Sequence, residues 1–143
     1  NVIVYILNPV IKLLFPEIKR NEKIKKEISM NIVANLFGLG NAATPLGIKA
    51  MNSLQEINNK KNTLSNSMMM FIVINTASLQ IIPTTIIAIR TSLGSTNPTQ
   101  IIFPVWGATI IAAVSAVVAT KIFIQIDKKK NETINIRKKR WQK

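Results

Sequence analysis

Long runs without a charged side chain dominate the chain and set its reading. Residues 28–48, 62–89 and 91–120 hold no Asp, Glu, Lys or Arg. Each window exceeds the roughly 20 apolar residues that carry a helix across a bilayer. A soluble domain needs a solvated face on each helix, and these windows offer none. The cleanest span is 101–126, with Pro104 in its first turn, Trp106 at one interface and Lys121 able to snorkel to the other. Ala108, Ala112, Ser115 and Ala119 recur along it at helical spacing, a smooth stripe suited to close helix contact.

The other two windows are interrupted. In 62–89, Asn75, Thr76, Ser78 and Gln80 lie at the centre, and Pro83, Thr84 and Thr85 follow. Proline removes a helical hydrogen bond, so this window reads as a broken or kinked helix. Within 28–48, Gly38, Gly40, Pro45 and Gly47 exclude one unbroken helix. The segment Gly38–Pro45 is expected to be non-helical and lined by protein, with its turn near Leu39–Thr44. Residues 1–16 are divided by Asn8, Pro9 and Lys12 and read as an interfacial helix or the end of a longer, truncated hydrophobic segment.

Charge sharpens the topology. The 143 residues carry 19 Lys+Arg against 6 Asp+Glu, and the basic residues border the apolar windows. Basic loops stay on the cytoplasmic side, so 17–27 and 127–143 should share that side. An even number of crossings is then required, and the glycine-rich window becomes a re-entrant hairpin. Lys49, Lys60 and Lys61 also fall inside, leaving Arg90 in the outer loop 90–100. The expected fold class is all-α: polytopic membrane helices with a Gly/Pro-broken re-entrant hairpin. Its parts are the segment 1–16, a membrane domain over 17–126 and a basic cytoplasmic tail over 127–143. The expected location is a bacterial cell membrane, crossed several times, with the lipid bilayer as first partner.

Composition then removes chemistry. There is no His and no Cys, so imidazole bases, thiolates and the usual zinc ligands are gone. All six acids lie outside the uncharged windows, and no paired-carboxylate site suggests itself, so neither an enzyme nor a metal or cofactor site is expected. Gly38–Ala43 (GLGNAA) fits a relaxed dinucleotide fingerprint but lacks the strand before it and the acid about 20 residues on. Nucleic-acid binding is not expected, because the basic tail offers only Trp141 for stacking.

What remains at membrane depth is amide and hydroxyl. Asn31 and Asn35 share a helix face, and Thr76, Gln80 and Thr84 follow one another at i, i+4 steps. Two readings stay open. These side chains bridge helices, or Asn35, Asn41, Thr44, Asn75, Gln80 and Thr84 line a pocket where two broken helices meet. Asn31 suits the bridging role and Asn41, placed in the turn, the pocket. Such a pocket would take a neutral, hydrogen-bonding solute such as a nucleoside. In that reading Gly38, Gly40, Pro45, Gly47 and Pro83 supply the breaks.

The stretch from Asn31 through Gly38, Gly40, Asn41, Thr44, Pro45, Gly47 and Lys49 to Met51 closely resembles the signature of the spore maturation protein A family. Asn75-Thr76, Ile82–Arg90 and Asn97-Pro98-Thr99 look like its downstream blocks, in order. The resemblance runs from about Leu14 to about Phe123. The family is grouped with nucleoside-recognition (Gate) domains, which implies a membrane-embedded polar site. It also implies an integral membrane protein of endospore-forming bacteria, acting in spore maturation and core dehydration with spore maturation protein B as partner. Its function would be that of a transport or gate component, or else of a non-transporting assembly subunit. Family members carry further hydrophobic sequence before the counterpart of residue 1.

Overall fold

The structure, a computed structural model, describes the backbone of residues 2–77 and 79–141 and the side chains of 7–77 and 79–133. Ser78 and the last two residues of the basic tail therefore lie outside the described residues. Among the described residues six α-helices follow in order: α1 (Val2–Leu14), α2 (Glu22–Leu36), α3 (Gly40–Glu56), α4 (Asn66–Ala77), α5 (Thr84–Ser92) and α6 (Ile102–Trp141). Short 3-10 turns at Pro16–Ile18 and Pro98–Ile101 lead into α2 and α6.

The first apolar window breaks at one glycine. Asn21 caps α2 by accepting from the Ile24 N–H at 3.1 Å. At the other end, the Gly38 N–H reaches the Asn35 carbonyl at 2.9 Å and the Leu39 N–H reaches that of Ala34 at 2.8 Å. This is a Schellman turn, and Gly38 takes the left-handed φ of +68° that it needs. Helix α3 starts at once with Gly40 and turns back onto α2, its chief packing partner.

The expected non-helical stretch Gly38–Pro45 is thus corrected: the break covers only 37–39, and Gly40, Asn41, Thr44 and Pro45 are helical. Pro45 lies inside α3, where its fixed φ suits a helix. It gives up only the bond to the Asn41 carbonyl, and a single short turn lies upstream to be tilted. Gly40 is no point of close approach, since nothing lies within 4 Å of a Cβ built there. Gly47, in mid-helix, brings α3 against Asn31, whose Nδ2 would be 3.0 Å from such a Cβ.

The second window breaks over residues 79–83, as Pro83 suggested. Buried Pro83 stands immediately before α5. Helix α4 is started from outside: the Glu17 carboxylate accepts from Asn66 Nδ2 at 3.0 Å, from the Ser67 N–H at 3.1 Å and from Ser67 Oγ at 2.7 Å. Lys61 Nζ closes the C-terminus of α3 by donating to the carbonyls of Gln55 at 2.7 Å and Glu56 at 3.1 Å.

The apolar core gathers at this basic end of the bundle. It joins Ile11 of α1, Phe15 and Ile18, Ile24 and Ile28 of α2, Ala50 and Leu54 of α3, and Met68, Met70 and Phe71 of α4. Residues 1–16 therefore contribute a helix that packs through Ile11.

Helix α6 lies along α4 and leaves much of its surface open. Phe103, Ile111, Val114, Val118 and Phe123 are exposed, and so is the small-residue stripe at Ala108, Ala112, Ser115 and Ala119. That stripe is therefore not covered by the described residues of this chain. Among the described residues, Pro98–Thr133 is the one helical stretch long and apolar enough to cross a membrane. The breaks cut the first two windows into helices of 15, 17, 12 and 9 residues. At about 1.5 Å per residue none reaches the roughly 30 Å of a hydrocarbon core.

Candidate functional site

The two breaks meet. The Ile81 N–H donates to the Leu36 carbonyl at 2.7 Å, so the 79–83 segment supplies a partner to the C-terminal end of α2. Thr84 Oγ1 donates to the Gly38 carbonyl at 3.3 Å. A Cβ at Gly38 would stand 2.6 Å from the Ile82 carbonyl oxygen, so this approach requires glycine twice over, for space and for φ. From the other side, Trp106 Nε1 of α6 donates to the Ile81 carbonyl at 2.7 Å.

Beside this junction an open cleft of about 520 Å³ lies between α2, α3 and α4. Its polar wall is Asn31, Asn35, Thr44, Asn75 and Thr76, and its apolar wall includes Ile48, Met51, Phe71 and Ile72. The amides form a relay across the three helices. Asn31 Nδ2 donates to the Ala43 carbonyl at 2.9 Å, and Asn35 Nδ2 to Asn75 Oδ1 at 2.7 Å. Asn75 Nδ2 in turn donates to the Phe71 carbonyl at 2.8 Å. Each amide carries two N–H donors and an oxygen with two lone pairs, so the relay leaves capacity for a further partner. Thr44 Oγ1 bonds only within its own helix, to the Gly40 carbonyl at 3.1 Å.

Of the residues singled out from sequence, Asn35, Thr44 and Asn75 line the cleft, together with Gly40 and Gly47. Asn41, Gln80 and Thr84 do not. Asn41 is exposed in the first turn of α3 rather than in a loop, which corrects its placement. Gln80 belongs to the 79–83 segment, and Thr84 serves the junction. Sequence reasoning did not foresee that Asn31 and Thr76 also line the cleft. The signal available was spacing: Asn31 and Asn35 share a face, and Asn75 and Thr76 adjoin at the window's centre. The wall is built from neutral donors and acceptors, and among the described residues no group of three or more His, Cys, Asp or Glu could hold a metal ion.

The fold defines an all-helical protein with one membrane-length helix and a neutral polar cleft beside two meeting helix breaks. The chain is 43% identical over 122 residues to spore maturation protein A of Bacillus subtilis (strain 168), an alignment covering 85% of this chain and 62% of that protein. It belongs to the spore maturation protein A family. The chain spans less than two thirds of the length of this curated relative. No family model matches the chain, and no solved structure does.

Proposed function

We propose that this chain forms the membrane-embedded part of a spore maturation protein and receives a neutral, hydrogen-bonding solute in the cleft between α2, α3 and α4, as a transport or gate component. The observation that carries the reading is the position of the cleft. Polar side chains from three helices converge beside two broken segments that support each other, the arrangement in which discontinuous membrane helices form solute sites. In this reading α6 crosses the bilayer, and the α2–α3 hairpin and the α4–α5 pair enter it on the same protein, a multi-pass arrangement. The basic loops stay on the cytoplasmic side.

A second reading rests on a different observation. Asn35 and Asn75 spend a short hydrogen bond on each other, at 2.7 Å, as amides that only join helices would. The chain is then an assembly subunit, and the exposed apolar face of α6 is where a membrane partner such as spore maturation protein B would dock.

Thr44→Val separates the two. The change keeps shape, and the lost hydroxyl bonds only its own helix. A solute site predicts heat-sensitive spores with normal amounts of membrane-inserted protein on a blot of the membrane fraction. Normal heat resistance at normal protein level would count against the solute site and for the assembly role.

A further inference from the structure

One acidic residue lies deeper than the other five, and it sits one helical turn from the cleft. Glu27 is 7% exposed and precedes Asn31 and Asn35 by one and two turns on the same face of α2. Its Oε1 lies 3.9 Å from Lys49 Nζ of α3, a charge contact too long for a hydrogen bond. Its Oε2 is shielded from solvent and has no hydrogen-bond partner. A buried carboxylate oxygen left in that state is costly, and an ion or a water is the usual partner that satisfies it.

An ordinary ion pair with Lys49 is the plain alternative. It fits poorly, because the Lys49 side chain is 67% exposed while that of Glu27 is 9% exposed. The ammonium approaches from the surface and serves one oxygen. The next oxygen along the face is under-used too. Asn31 turns its Nδ2 to the Ala43 carbonyl, and the bond its Oδ1 accepts from Asn35 Nδ2 is a long 3.5 Å. Asn31 also lines the cleft, which gives a small ion a polar way in.

We propose that Glu27 and the side-chain oxygen of Asn31 form a binding site for a small monovalent cation such as sodium, one turn beyond the inner wall of the cleft. One carboxylate supplies one negative charge. Divalent cations are usually held by several carboxylates, and the described residues bring no such set together. Lys49 is the built-in competitor: it neutralises the carboxylate when the site is empty and swings to solvent when the cation enters. The site stands apart from the solute reading, because it can be tested with no solute present.

The test is thermal unfolding of the purified full chain in detergent, in sodium, potassium and choline chloride at equal ionic strength. A bound cation stabilises the folded state by mass action, so the site predicts a saturable rise in Tm with sodium or potassium over choline. Glu27→Gln, checked for helix content by circular dichroism, should abolish that rise. Lys49→Gln should move the midpoint to a several-fold lower cation concentration. Equal Tm in all three salts, or a cation-specific rise that persists in Glu27→Gln, would overturn the proposal. Should Glu27→Gln fail to fold, Lys49→Gln decides, and an unchanged midpoint there overturns it as well.

Discussion

Residues 22–56 and 66–92 each fold as helix, break and helix, yet the two units are held together by different means. In the first, the break occupies 37–39, and α3 returns along α2 with Ala43, Ala50, Ser53 and Leu54 buried. In the second, the break occupies 79–83 among the described residues, and α5 buries none of its residues. Gly38 can adopt the left-handed conformation, so the chain reverses within one turn and the two helices cover each other. Pro83 can only end one run and start another, and the residues before it borrow partners from Leu36 and Trp106. The first unit therefore carries its own packing, and the second depends on its neighbours.

The contrast is broken most directly at Gly38. Gly38→Ala forces a Cβ against the Ile82 carbonyl at 2.6 Å and keeps a φ of +68° that costs an ordinary residue about 1–2 kcal/mol. With about 1–3 kcal/mol for overpacking, we expect a loss of about 2–5 kcal/mol in unfolding of the purified chain. Gly40→Ala, where a Cβ meets nothing within 4 Å, should instead gain about 0.4–1 kcal/mol. A reversed order of the two would mean that the break lies elsewhere.

The link between the units is the next test. Asn35→Ala should cost about 0.6–2 kcal/mol. Combined with Asn75→Ala it should be less than additive, because both remove the same 2.7 Å bond. Additive losses in that double-mutant cycle would deny the bridge.

Trp106→Phe removes the donor to the Ile81 carbonyl and should cost about 0.5–1.5 kcal/mol. Hydrogen exchange should rise in 79–83 and stay unchanged in 37–39 if the second break alone depends on α6. Smallest of all, Asn41→Ala should stay within about 0.5 kcal/mol of the parent, since Asn41 is exposed at the start of α3.

The positions of the breaks were legible in the sequence, because Gly38 and Pro83 each impose a backbone rule that tertiary packing cannot relax. So was the placing of Asn35 and Asn75 as polar residues inside two apolar windows, without the bond that joins them. The extent of the first break was not. Pro45 looks like a helix breaker in one dimension, but five residues after the start of a helix it costs a single bond. Residues 127–141 continue α6 as helix, because the change from apolar to basic at Asp127 marks a change of environment and brings no Gly or Pro to stop a helix. Nor could the sequence show that Asn41 turns away from the cleft, since that follows from α3 beginning at Gly40.

In the proposed function, the cleft beside the two breaks takes up a neutral solute. The direct measurement is the Tm of the purified chain against a panel of nucleosides, repeated with Ile72→Trp, which fills the cleft from its exposed apolar wall. The account predicts a saturable rise with at least one nucleoside that Ile72→Trp removes and Asn41→Ala leaves unchanged. No rise with any nucleoside, or a rise that survives the filling of the cleft, would contradict it.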